Sequence, residues 1–173
     1  MAEQDLGNLP AASAALERAA SLAPADPLAW FRLGLVRSRL GLWPEATAAY
    51  EETVRLAPGH LGGWTNLAAL YQAAGRTAEA ARAFEAAARA DPSSPVAWRN
   101  LGVFLARTGR PAEAVAPFRE ALRLDPGDAD VLYRLGLVQA SLGARGVALE
   151  AAARLDALDP AAAADLRARL GAR

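Results

Sequence analysis

Asp125, Asp128 and Asp130 stand close enough together to suggest a calcium loop. Such a loop needs a glycine at its sixth place and a closing bidentate glutamate. Gly127 is misplaced and the glutamate is missing, so a helix-capping turn is the better reading. His60 is the single imidazole. It follows Pro58-Gly59 with no serine or aspartate beside it to make a base, and is expected to be an exposed loop histidine. Glu51 and Glu52 are adjacent, which on a helix turns them to different faces and rules out a general acid and base pair. The chain has no cysteine and no lysine. Disulfides, thiolate nucleophiles, Cys-ligated metals, Schiff bases and the phosphate-binding P-loop are excluded with them. The expectation is a protein that is not an enzyme and uses no metal or cofactor.

Composition agrees with that restriction. The 173 residues are 53% hydrophobic and 22% charged, enough for one ordinary domain or one repeat array. Nineteen basic residues balance nineteen acidic ones. A nucleic-acid binder normally carries a basic excess, so none is expected to bind here. No apolar run reaches the ~18 residues of a membrane span, and Met1 to Ala20 carry Glu3 and Asp5 without a signal-peptide core. A soluble, cytoplasmic chain is expected.

One interval organises the sequence. Pro24, Pro58, Pro92, Pro126 and Pro160 recur every 34 residues, as do Trp30, Trp64 and Trp98 with Leu132 in the fourth place. Leu33, Leu67, Leu101 and Leu135 keep the interval. So do Gly41, Gly75, Gly109 and Gly143, then Ala46, Ala80, Ala114 and Ala148. Tyr50, Phe84 and Phe118 supply an aromatic where the fourth copy has Ala152.

The punctuation within each interval predicts helix, turn, helix. Asp26, Ser94 and Asp128 are N-cap residues, whose oxygens accept the free N–H groups of a first turn. Pro27 and Pro95 follow where a missing N–H costs nothing. Trp98, Leu101 and Leu105 are spaced for one helix face, and Gly109 ends that helix in the left-handed conformation. A second helix starts near Ala112, carries Ala114, Phe118, Ala121 and Leu122 on one face, and stops before Asp125-Pro126. Pro117 lies inside it, which predicts a kink rather than a break. Glu51 with Arg55, and Glu85 with Arg89, have the order of supporting i,i+4 pairs.

These residues resemble the tetratricopeptide repeat family, whose pattern runs Trp, Leu-Gly, Tyr, Gly, Ala, an aromatic, Ala and Pro. Trp64, Leu67, Ala68, Tyr71, Gly75, Ala80, Phe84, Ala87 and Pro92 fill it in order, with Ala68 replacing the glycine. The resemblance implies an all-α fold, a right-handed superhelix of antiparallel helix pairs. It places repeats at 27–60, 61–94, 95–128 and 129–162, the last degenerate, with a capping helix at 163–173. Within that cap, Leu166 and Leu170 are flanked by solvated Asp165, Arg167 and Arg169. Residues 1–26, with Pro10, Ala12, Leu16, Ala19 and Pro24, fit the second half of a unit. They are either an N-terminal cap or the remnant of a longer array.

The repeated tryptophans, leucines and alanines are read as packing. By resemblance, the fifth, ninth, twelfth and thirteenth places of each repeat line the concave surface. The fifth are Phe31, Thr65, Arg99 and Tyr133, and the ninth are Leu35, Ala69, Val103 and Leu137. Arg39, Gln72 and Arg107 come from the later places, with Ser38, Ala73, Ala106, Ala140 and Ser141. This is an apolar strip with an arginine rim, expected to bind a protein or peptide partner, an apolar or amphipathic segment above all. Two alternatives remain: the strip closes a homodimer, or it helps fill the core and meets the capping helix. Family members that clamp acidic chaperone tails use Lys, Asn and Arg where this chain has Phe31, Leu35, Val96 and Asn100, with Asn66 alone in agreement. That ligand is not expected.

Overall fold

The computed structural model describes residues 8–171, so residues 1–7, with Glu3 and Asp5, and residues 172–173 lie outside it. Ten helices and no strand are found among the described residues. The chain divides into two units, Met1–Ala90 and Asp91–Arg173.

The first unit holds α1 (Leu9–Leu22), α2 (Pro27–Arg39), α3 (Trp43–Leu56), α4 (Leu61–Ala73) and α5 (Thr77–Ala90), each packed on the next. The second holds α6 (Pro95–Arg107), α7 (Pro111–Leu124), α8 (Ala129–Ser141), α9 (Arg145–Leu155) and α10 (Pro160–Gly171). These too pack in chain order, and α10 also reaches α8.

The helix boundaries follow the local chemistry. Asp26 accepts from Leu28 N at 2.9 Å, Ser94 from Ala97 N at 3.3 Å and Asp128 from Val131 N at 3.0 Å. Gly41, Gly75, Gly109 and Gly143 each turn the chain at φ between 72° and 80°, where any residue with a Cβ is strained. Helix α7 runs through Pro117 unbroken. His60 departs from the expected exposed loop residue. Half-buried, its Nδ1 accepts from Gly63 N at 2.9 Å, capping α4, while its ring lies 4.5 Å from that of Phe31. An imidazole can accept like a cap oxygen, which the loop setting in sequence did not reveal.

The three aspartates hold no common site. Asp125 accepts from Gly127 N at 3.2 Å, Asp128 caps α8, and Asp130 pairs with Arg134 at 2.8 Å. Of the two expected i,i+4 pairs, Glu85 and Arg89 approach to 3.8 Å, but Arg55 turns to Glu52 at 2.8 Å instead. Glu51 is engaged across the hairpin boundary by the Tyr71 hydroxyl, 2.6 Å away.

The interval places a hydrogen bond as well as a core. The indole N–H of Trp30, Trp64 and Trp98 donates to the carbonyl of Pro24, Pro58 and Pro92, at 3.0, 2.7 and 3.0 Å. Each tryptophan therefore pins the turn six residues before it. In the fourth copy Leu132 has no donor to offer, and Arg154 reaches the Pro126 carbonyl at 3.4 Å.

Candidate functional site

The strip residues occupy the first helices of the pairs, α2 and α4 in one unit, α6 and α8 in the other. On α2, Leu35 is 38% exposed and Arg39 is exposed, with no carboxylate partner among the described residues. Phe31 is half-buried, tilted against Tyr50 at 5.9 Å and over His60. A Cβ on Gly62 would come within 3.1 Å of its ring, so the Phe31 ring rests on the start of α4. On α4, Thr65 is half-buried, while Ala69 and Gln72 are exposed.

In the second unit, Arg99 is drawn to Asp128 at 3.2 Å. Its charge is answered within the chain. Val103 and Leu137 are half-buried, and Arg107 is exposed and unpaired among the described residues. Tyr133 donates its hydroxyl to Asp165 of α10. That bond, with burial second, raises the phenol's pKa. The same bond and the Arg169 guanidinium hold the Asp165 carboxyl below its ordinary value. Tyr133 thus meets the terminal helix.

A further cleft lies beside the strip in the first unit. Trp43 is 56% exposed at the start of α3. With Pro44, Ala48, Leu70, Ala73 and Arg76 it lines a hollow of about 580 Å³. Ala73, expected from its thirteenth place to border the strip, lines this hollow. Along one edge Arg76 sits 4.3 Å over the Tyr71 ring, and Tyr71 binds Glu51. Burial, then that carboxylate, pushes the Tyr71 pKa up to about 12. Its hydroxyl is a fixed donor at neutral pH. Trp43 carries a signal in the sequence that the 34-residue interval hides: it is the one tryptophan of four off that interval. A tryptophan that the packing pattern does not require is a candidate contact residue.

Among the described residues, no three His, Asp or Glu side chains gather to hold a metal ion. No helix among them is long and apolar enough to cross a membrane.

The family model described as Tetratricopeptide repeat matches residues 1–60 and 65–129. No curated protein matches the sequence. Among solved structures, the chain is similar to MamA from Desulfovibrio magneticus RS-1, with 20% identity over 89% of this chain and 87% of that one, at a TM-score of 0.73. It is also similar to YrrB, a TPR protein with an unusual peptide-binding site: 22% identity, 84% and 75% covered, TM-score 0.73. TTC0263, a thermophilic TPR protein in Thermus thermophilus, shares 26% over 98% of this chain and 92% of its own, at a TM-score of 0.57.

Proposed function

We propose, from the premise that this chain belongs to the tetratricopeptide repeat family, that it binds a peptide or helical segment of a protein partner along the first-helix strip. The fold is typical of protein–protein interaction scaffolds. The observation that carries the reading is Leu35, an apolar side chain left 38% exposed beside the unpaired Arg39. Half-buried Val103, one turn before Arg107 on α6, and half-buried Leu137 on α8 repeat the theme in the second unit. Apolar anchors burying into a preformed surface supply the affinity, and a central one is worth about 2 kcal/mol or more. Arginines whose charge is unanswered are suited to fix orientation on a partner's carboxylates. Of the rim, Arg39 and Arg107 fill that role better than Arg99, already engaged by Asp128. YrrB, similar in fold, is itself a TPR protein with a peptide-binding site.

A peptide selected from a random library on the intact chain provides the test. Leu35→Asp and Leu137→Asp are expected to abolish its binding with far-UV helicity unchanged. Binding that survives both substitutions would overturn the reading. The alternative is self-association over the same strip, whose signature in light scattering is a dimer that Leu35→Asp disrupts.

A further inference from the structure

The repeat interval predicts charge as well as packing, and in one place the chain reverses it. Arg119 on α7 stands 34 residues after Glu85 and 68 after Glu51; Arg154 on α9 stands 34 after Glu120 and 102 after Glu52. Each of these two positions carries glutamate in two copies and alanine in a third, Ala153 in the one and Ala86 in the other, and arginine here. Val147 likewise replaces Glu45, Glu79 and Glu113, and Leu132 replaces the three tryptophans.

The four changes converge. Arg119, Arg123 and Arg154 line one cleft of about 350 Å³ in the second unit, together with Leu132, Leu135 and Val147. Val147 is 40% exposed. Leu132 stands where the other copies carry an indole and Val147 where they carry glutamate, so the lining at both places is aliphatic. Arg119 has no partner among the described residues, and Arg154 has the 3.4 Å approach to the Pro126 carbonyl alone. Arg123 is held by Glu120. Glu150, on the cleft wall, pairs with neither arginine. Arg119 and Arg123 are like charges at i,i+4, an arrangement that weakens a helix about as much as a favourable pair supports it. Packing gains nothing from it; an anionic ligand would.

We infer that this cleft docks an acidic peptide segment of a partner protein, its carboxylates meeting Arg119 and Arg154 and an aliphatic side chain resting on Val147. The guanidinium fork matches carboxylates in bidentate geometry. The site is separate from the first-helix strip, because Leu132 and Leu135 lie on a different side of α8 from Tyr133 and Leu137.

Anisotropy of a labelled synthetic peptide, Glu-Glu-Leu-Glu-Glu-Leu-Glu, titrated with the intact chain, tests it. Saturable one-site binding is expected, weakened about ten-fold or more by Arg119→Glu with Arg154→Glu, and unmoved by Arg82→Glu or Leu137→Asp. The last control separates this site from the strip. The double variant restores charges the array already carries at 51, 85, 52 and 120, so it is expected to fold. If circular dichroism shows otherwise, Arg154→Gln decides by a loss of about three-fold or more. The proposal is overturned if the peptide does not saturate, if the arginine variants bind as well as the parent, or if the glutamine analogue of the peptide binds equally. It is also overturned if a random single-stranded oligonucleotide or an anionic phosphatidylserine vesicle displaces the peptide from the cleft.

Discussion

In the pair α6–α7, Gly102 faces Phe118 of its own hairpin, and a Cβ at Gly102 would fall 2.6 Å from that ring. In α8–α9, Gly136 occupies the same place in the interval, but the aromatic is gone and Ala152 stands opposite. The space is taken by Leu166 of α10, 2.5 Å from where a Cβ on Gly136 would be. Leu166 is fully buried. One gap is closed from within a hairpin in the first case and by the following helix in the second. The aromatic missing from the fourth repeat is therefore a place made for the terminal helix. The same helix also engages Tyr133 through Asp165, Asp156 through Arg167 at 2.6 and 2.7 Å, and Arg145, which donates to the Leu170 carbonyl.

Removing the two fillers has the largest expected effect. Phe118→Ala is expected to cost about 3–5 kcal/mol and Leu166→Ala about 2–5 kcal/mol in denaturant unfolding. A Leu166 variant as stable as the parent would show that α10 merely covers the fourth pair. Filling the two gaps from the glycine side is a finer probe. Gly102→Ala drives a methyl into a rigid ring and is expected to cost about 1–3 kcal/mol. Gly136→Ala meets the movable end of a leucine, so a smaller loss is expected in the same measurement. Equal losses would mean that the two fillers are held equally tightly.

Trp98→Phe removes the indole donor to Pro92 while keeping a ring. Its expected cost is about 0.5–1.5 kcal/mol in thermal unfolding. The third pair has that bond to lose and the fourth, with Leu132, does not.

The smallest effect is electrostatic. Arg167 beside Asp156, and Tyr133 with Arg169 beside Asp165, hold these carboxyls below their ordinary value of 3.8. A depressed folded-state pKa stabilises above the unfolded value, and that stability is lost as pH falls through the folded one. The stability difference between the parent and Asp165→Asn is therefore expected to be present at pH 7 and to shrink once the pH drops below about 4. A difference that persists unchanged at pH 2 would contradict it.

Much of this was readable along the chain. The prolines, glycines and N-caps act within a few residues of themselves, and the helices begin and end where they indicate. The arginines at 119 and 154, where two other copies carry glutamate and one alanine, are also visible in the interval. Other features were not. His60 looks like a loop residue until α4 is seen to start from it. The ring of Phe31 rests beside Gly62 and His60, so its side chain serves packing as well as the strip. Arg99 looks like a free rim charge until Asp128, 29 residues away, is brought to it.

By itself the amino-acid order determined the fold class, the helix pairs and their register, because those depend on backbone geometry and periodic burial over short distances. Tertiary structure alone decided which gap Leu166 fills, which carboxylate answers Arg99, and that Trp43 stands open beside a hollow. Each of these joins side chains from different helices, and such distances are set only when the helices pack.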